Sequence, residues 1–170
     1  MISARSLFCA SAIVSLAACG GPSTGTMEHP RTTDKQGRTV VSSQDAVNAF
    51  VSACYTPGGT RGGAKSFVTR NGYEVSSDDK EFFISACSNR ALGVMQMEGG
   101  ICSVTFDAGI PNVDAGAQAA RLLIAKIGTT GIGGKKGGGQ INLKTAKGTV
   151  VVGNNAQVKG NGASISLFRR

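Results

Sequence analysis

Leu92-Gly93-Val94-Met95-Gln96-Met97 and Ile101-Cys102-Ser103-Val104-Thr105-Phe106, joined by Glu98-Gly99-Gly100, decide the fold class of this chain. Two short runs rich in apolar residues, separated by a three-residue loop with two glycines, predict an antiparallel hairpin. The period of two puts Cys102, Val104 and Phe106 on one face of the second strand, and that face has to be covered. A candidate cover lies upstream. Ser42 and Asp45 form an S-x-x-D cap, and Val47, Phe50, Val51 and Cys54 follow at i, i+3, i+4 and i+7, which predicts a helix whose apolar side carries Cys54. Thr56-Pro57-Gly58-Gly59 ends it, because proline and paired glycines do not continue a helix.

Between that helix and the hairpin two readings compete. Ala64, Phe67 and Val68 lie at helical spacing with Gly72 as the residue past the end, whereas Asn71-Gly72 between Phe67-Val68 and Tyr73-Glu74-Val75 also suits a hairpin turn; the helix is preferred. Ser77-Asp78-Asp79-Lys80-Glu81 has the composition of a helix cap, and Phe82, Phe83 and Ile84 after it are expected to be buried. Beyond the hairpin, Pro111-Asn112 supplies a stop and a cap, and Asp114 suits the positive helix start. Val113, Ala117, Ala120, Ile124 and Ile127 make a stripe, so a second helix is expected over 113–127, closed by Lys126 and Gly128.

Residues 128–139 hold seven glycines in twelve positions around Lys135-Lys136 and read as a linker. The phosphate-loop templates fail there. A P-loop needs Ser or Thr after its lysine, but Lys136 follows Lys135, and both glycine templates precede a helix whereas this segment follows one. Four further β-type runs at 141–145, 149–153, 156–159 and 163–168 predict a meander with Ile165 and Leu167 turned inward. The order of elements describes an α+β fold: a small single domain whose antiparallel β-sheet is packed on one face by two or three helices.

The N-terminus has a separate character. Arg5 gives a basic start, residues 7–18 carry no charge, and Leu16-Ala17-Ala18-Cys19 closes the segment. The apolar run is too short for a bilayer core of about 30 Å but suits an export signal. This stretch resembles the lipobox of bacterial lipoproteins at all four positions. The resemblance implies cleavage before Cys19, two acyl chains on its sulfur and one on the new amine. Three chains hold a protein to the membrane essentially permanently, whereas one gives marginal binding. Gly20 stands where Gram-negative lipoproteins carry an inner-membrane retention aspartate, so the same resemblance implies the outer membrane; the domain is expected to face the periplasm, with the cell surface as the open alternative.

The expected organisation is therefore a signal peptide over 1–18, a flexible tether over 19–40 and a globular α+β domain over 41–170. About 20 residues of Gly, Pro, Ser, Thr and mixed charge have an r.m.s. span of roughly 25 Å. With Cys9 removed alongside the signal and Cys19 lipidated, Cys54, Cys87 and Cys102 remain for an oxidising compartment. Three pairings are open, and the shared apolar face favours Cys54 with Cys102.

Charge narrows the function classes. The net charge is +8, yet residues 19–114 hold eight Lys and Arg against ten Asp and Glu; residues 115–170 hold nine basic residues and no acidic one. Lys135, Lys136, Lys144 and Lys147 are the candidates for holding an anion, although a solvated basic face explains the same composition. No aromatic residues interleave with that charge, which argues against nucleic acid. The single histidine, His29, lies in the tether with no scaffold to aim it. Neither G-x-S-x-G nor H-E-x-x-H occurs, Cys87 and Cys102 lack a histidine base, and Asp78, Asp79 and Glu81 read as caps. Met95 and Met97 read as core filler rather than a soft-metal site. No catalytic residue, metal or cofactor is expected. The function expected is that of a lipid-anchored cell-envelope protein, a binding or structural module that contacts an envelope protein through its sheet or a free edge. The alternative is a basic module that holds an anionic envelope lipid or polymer.

Overall fold

Eight strands form one sheet: β1 Glu74–Asp78, β2 Phe82–Ala86, β3 Leu92–Met97, β4 Ile101–Asp107, β5 Gly131–Gly134, β6 Gln140–Thr145, β7 Gly148–Asn154 and β8 Gly162–Arg169. This is a computed structural model, and it describes residues 32–134, 139–154 and 162–169. The spatial order is β1-β2-β3-β4-β8-β7-β6-β5, with every neighbouring pair antiparallel. Two four-stranded meanders thus meet at β4 and β8, which pair from Ile101↔Phe168 to Asp107↔Gly162.

Alternation along the strands gives the sheet one apolar face. Val94, Val104, Ile165 and Val152 are direct cross-strand partners in one row, and none is more than 1% exposed. Each such side chain contributes about 1.5–3 kcal/mol by leaving water. Three helices cover this face: α1 Ser43–Phe50, α2 Arg61–Arg70 and α3 Asn112–Ile127. Among the described residues no helix is long and apolar enough to cross a membrane.

The Ser42 cap forms as expected, its hydroxyl accepting from the Asp45 N–H at 3.1 Å. Val47, Phe50 and Cys54 are fully buried. The helix ends in a π-helical turn, Val51–Tyr55, closed by Thr56 N–H donating to the Val51 carbonyl at 2.8 Å. Within that turn Cys54 bonds to Cys102 on β4, with an S–S distance of 2.00 Å and a Cα–Cα distance of 5.4 Å. The expected pairing is therefore present, and Cys87 is buried outside the bridge.

Several expectations are corrected. Ser77-Asp78-Asp79-Lys80-Glu81 caps no helix but turns β1 into β2, with the Asp79 carboxylate accepting from the N–H groups of Glu81 and Phe82 at 3.0 and 2.8 Å. A short acid that captures nearby N–H groups serves a turn as well as a helix start. Of the three residues that follow, only Phe83 is buried; Ile84 is 37% exposed because it points to the other face of the sheet, which is uncovered among the described residues. In α3 the cap position is Pro111 rather than Asn112, and the buried side is Ala115, Gly116, Ala119, Ala120 and Leu123. Val113, placed in the expected stripe, is 60% exposed. Small residues face the sheet because they let the helix backbone lie close to it.

The expected linker after α3 contains β5, paired with β6 through Gly131↔Lys144 to Gly134↔Ile141. Thr33 and Thr39, within the expected tether, bridge each other, and Thr39 also bridges Arg90, so the folded unit begins before residue 41. The 156–159 run lies outside the described residues.

Candidate functional site

Of the residues singled out in the sequence, Cys19, Lys135 and Lys136 lie outside the described residues. Lys144 is exposed on the uncovered face, next to Gly131 and Thr149 in register. Lys147 points the other way: its ammonium donates to the carbonyls of Tyr55 and Thr56 at 2.9 and 2.7 Å and sits 5.2 Å from the Tyr55 ring centre. It caps the carbonyl end of the first helix, where a cation complements the helix dipole. The two described lysines are thus on opposite faces of the sheet and form no common anion site.

The uncovered face has its own pattern. Register lines up Phe82, Met97, Ile101 and Phe168 as consecutive partners across β2, β3, β4 and β8, with Phe168 40% exposed. The next row sets Ile84 beside Met95, followed by Ser103 and Ser166, whose hydroxyls are 2.7 Å apart. Met95 and Met97 are therefore on this face and not in the covered core, which corrects the expectation for them.

A second feature escaped the sequence reading. A cleft of about 320 Å³ opens between α1 and α2. Its floor is apolar: Phe67 and Tyr73 meet edge to face with centroids 5.5 Å apart, and Leu92 is 3% exposed. Thr60 caps α2 through Gly63 N–H, and Gly72 at φ +65° turns the chain so that Tyr73 folds back on Phe67. Along one wall Arg90 pairs with Asp45 at 3.1 Å, both side chains only 14% exposed. A pair so little hydrated is costly to break from one side, which fixes that wall.

The rim is polar. Asn48 Oδ1 accepts from Lys126 Nζ at 2.6 Å and from Gln44 Nε2 at 3.2 Å. An ammonium can only donate, so this oxygen assignment follows from chemistry and leaves the Asn48 amide NH₂ as a donor. Arg70 Nε donates to the Ser66 carbonyl, while the two terminal nitrogens of Arg70 and the Ser52 hydroxyl have no partner among the described residues. These residues span 45–92, and only their three-dimensional assembly makes them a site.

Elsewhere the electrostatics are structural. Asp78 accepts from Lys65 and Arg61, both at 2.7 Å, and these contacts hold its carboxyl below the ordinary value. Asp79 is lowered by the Phe82 N–H, the Ser77 hydroxyl and the Glu81 N–H. For Asp34, burial pushes the carboxyl up, but hydrogen bonds from Arg38 and Gln36 outweigh it and the net shift is downward. Among the described residues no three His, Cys, Asp or Glu side chains are grouped to hold a metal ion. In the comparisons with known proteins, the chain matches no family model, no curated protein and no solved structure.

Proposed function

We propose that this chain is a lipid-anchored protein of the bacterial cell envelope, held at the outer membrane through acylated Cys19, whose domain works by binding rather than by chemistry. The observation that carries the reading is the bridge between Cys54 and Cys102. Disulfides persist in oxidising compartments and are rare where thiols are kept reduced, so the bridge supports export independently of the Leu16-Ala17-Ala18-Cys19 motif. The surface offered for contact with an envelope protein is the uncovered sheet face with its Phe82-Met97-Ile101-Phe168 row. Phe168 is 40% exposed and Phe82, Met97 and Ile101 are half-buried, a contiguous apolar strip of the kind that marks a contact surface.

The alternative, an anionic envelope lipid or polymer held by the basic C-terminal third, has weaker support. Lys147 is committed to the helix end and Lys144 stands on the other face. Feeding cells labelled palmitate tests the anchor. Wild type is expected to incorporate label and fractionate with the outer membrane, whereas Cys19→Ala takes up none. Equal labelling of the two, or recovery of wild type as a soluble protein, would overturn the reading.

A further inference from the structure

We propose that the cleft between α1 and α2 binds a small organic acid with an apolar, preferentially aromatic, body. This goes beyond the envelope reading and does not depend on the acylation of Cys19. Two arginines and one aspartate line the cleft. Arg90 is matched by Asp45, so Arg70 supplies the net positive charge. The groups still available at the rim are the Arg70 terminal nitrogens and the Asn48 amide NH₂, which donate, the Ser52 hydroxyl, which donates or accepts, and the Asn71 amide oxygen, which accepts because its NH₂ is spent on the Phe67 carbonyl. A rim of net positive charge on which donors outnumber acceptors favours an anionic ligand, and a carboxylate on a guanidinium makes the stronger, charge-assisted kind of hydrogen bond.

The floor selects the rest of the ligand. Phe67, Tyr73 and Leu92 offer apolar surface, and Ala49, 6% exposed, is too small to fill the space above them. An inorganic anion uses only the rim, and a neutral apolar molecule uses only the floor. A volume of about 320 Å³ lies within the range of small-molecule sites and suits a ligand of one ring and a short acidic arm.

The test titrates the full chain with 4-phenylbutyrate, 4-phenylbutanol and acetate while following backbone amide resonances. Phenylbutyrate is expected to give saturable shifts at Ser52, Asn71 and Leu92, with the alcohol and acetate each roughly tenfold weaker. Arg70→Met should weaken phenylbutyrate by roughly tenfold and leave the alcohol unchanged; Arg70→Lys should restore part of the loss. Arg70 is exposed, so neither variant is expected to disturb folding, and unchanged resonances elsewhere verify this. Absence of saturable shifts at about 10 mM acid, affinity too weak for a specific site, would overturn the proposal. So would wild-type affinity in Arg70→Met, or shifts confined to the Phe82-Phe168 row.

Discussion

The two halves of the sheet have the same topology and are secured differently. The first meander, β1 to β4, is held by side-chain chemistry: a disulfide joins β4 to the helical layer, and Asp78 on its edge strand takes Lys65 and Arg61 from α2. Its outer strand has a register shift between Val75 and Ser77 and carries Glu74 and Asp78. Bulges and charges of this kind discourage pairing with another strand. The second meander, β5 to β8, relies on close approach of backbones. Its helix presents Ala115, Gly116, Ala119 and Ala120, and its outer strand is Gly131-Ile132-Gly133-Gly134 with no charge and Ile132 64% exposed. Specific side-chain groups bind one half together; in the other, backbone atoms of a neighbouring strand stand where a Cβ would be at Gly134 and Gly148.

The largest effect is expected from the bridge. A closed loop of 48 residues' separation corresponds to about 4 kcal/mol in the chain-entropy model, an upper figure. Replacing Cys54 and Cys102 by Ala should lower the unfolding midpoint in oxidising buffer, and reductant should bring wild type towards the variant. Equal midpoints would remove the bridge from the contrast between halves.

The complementary blow to the second half is Gly148→Ala. Gly148 has φ +137°, and a Cβ there would stand 2.2 Å from the Phe168 carbonyl oxygen. A loss of about 2–3 kcal/mol is expected in denaturant unfolding. Gly99→Ala in the first half, at φ +86° with nothing within 4 Å, should cost only about 1 kcal/mol. If the two variants unfold alike, dependence on bare backbone does not distinguish the halves.

Gly116→Ala sharpens the same point with opposite sign. A Cβ at Gly116 meets only Val152 Cγ1 at 3.9 Å, an ordinary contact. Alanine's better helix propensity should then raise stability by about 0.5–1 kcal/mol, read from the melting curve.

The smallest effect concerns acid. Lys65 and Arg61 depress the Asp78 carboxyl below its ordinary 3.8. In that region the unfolded chain binds more protons than the folded one, so this contribution is complete above the unfolded value and is lost as pH falls through the folded one. Asp78 is exposed, and the contribution is small. Asp78→Asn should lower the melting temperature slightly at pH 7 and converge with wild type as pH falls below about 4, so that its acid profile is flatter.

Legibility in the sequence followed the same division. Where large apolar residues alternate or recur at helical spacing, as in β3, β4 and α1, the elements and the Cys54–Cys102 pairing were readable from pattern. Where glycine and alanine carry the structure, pattern misleads: β5 reads as a linker because glycine has no β preference, and the expected stripe of α3 shares only Ala120 with the buried side, which is Ala115, Gly116, Ala119, Ala120 and Leu123. Asp79 misled for another reason, since a carboxylate that gathers N–H groups reads alike before a helix and inside a turn. The cleft was not legible at all. Asn48, Ser52, Phe67, Arg70 and Leu92 follow no motif, and only the packing of α2 against the Val51–Tyr55 turn and β3 brings them to one opening.

The seam between the meanders determines when the sheet can exist. Strand β8 pairs with β4 on one side and β7 on the other, yet it follows every other strand in the chain. Until it arrives, the first and second meanders have no shared strand, and Val104 and Val152 lack the neighbour between them, Ile165. Under the proposed export, a chain delivered across a membrane from its N-terminus would bring the centre of its own sheet through last, and the two meanders would join only when that keystone arrives.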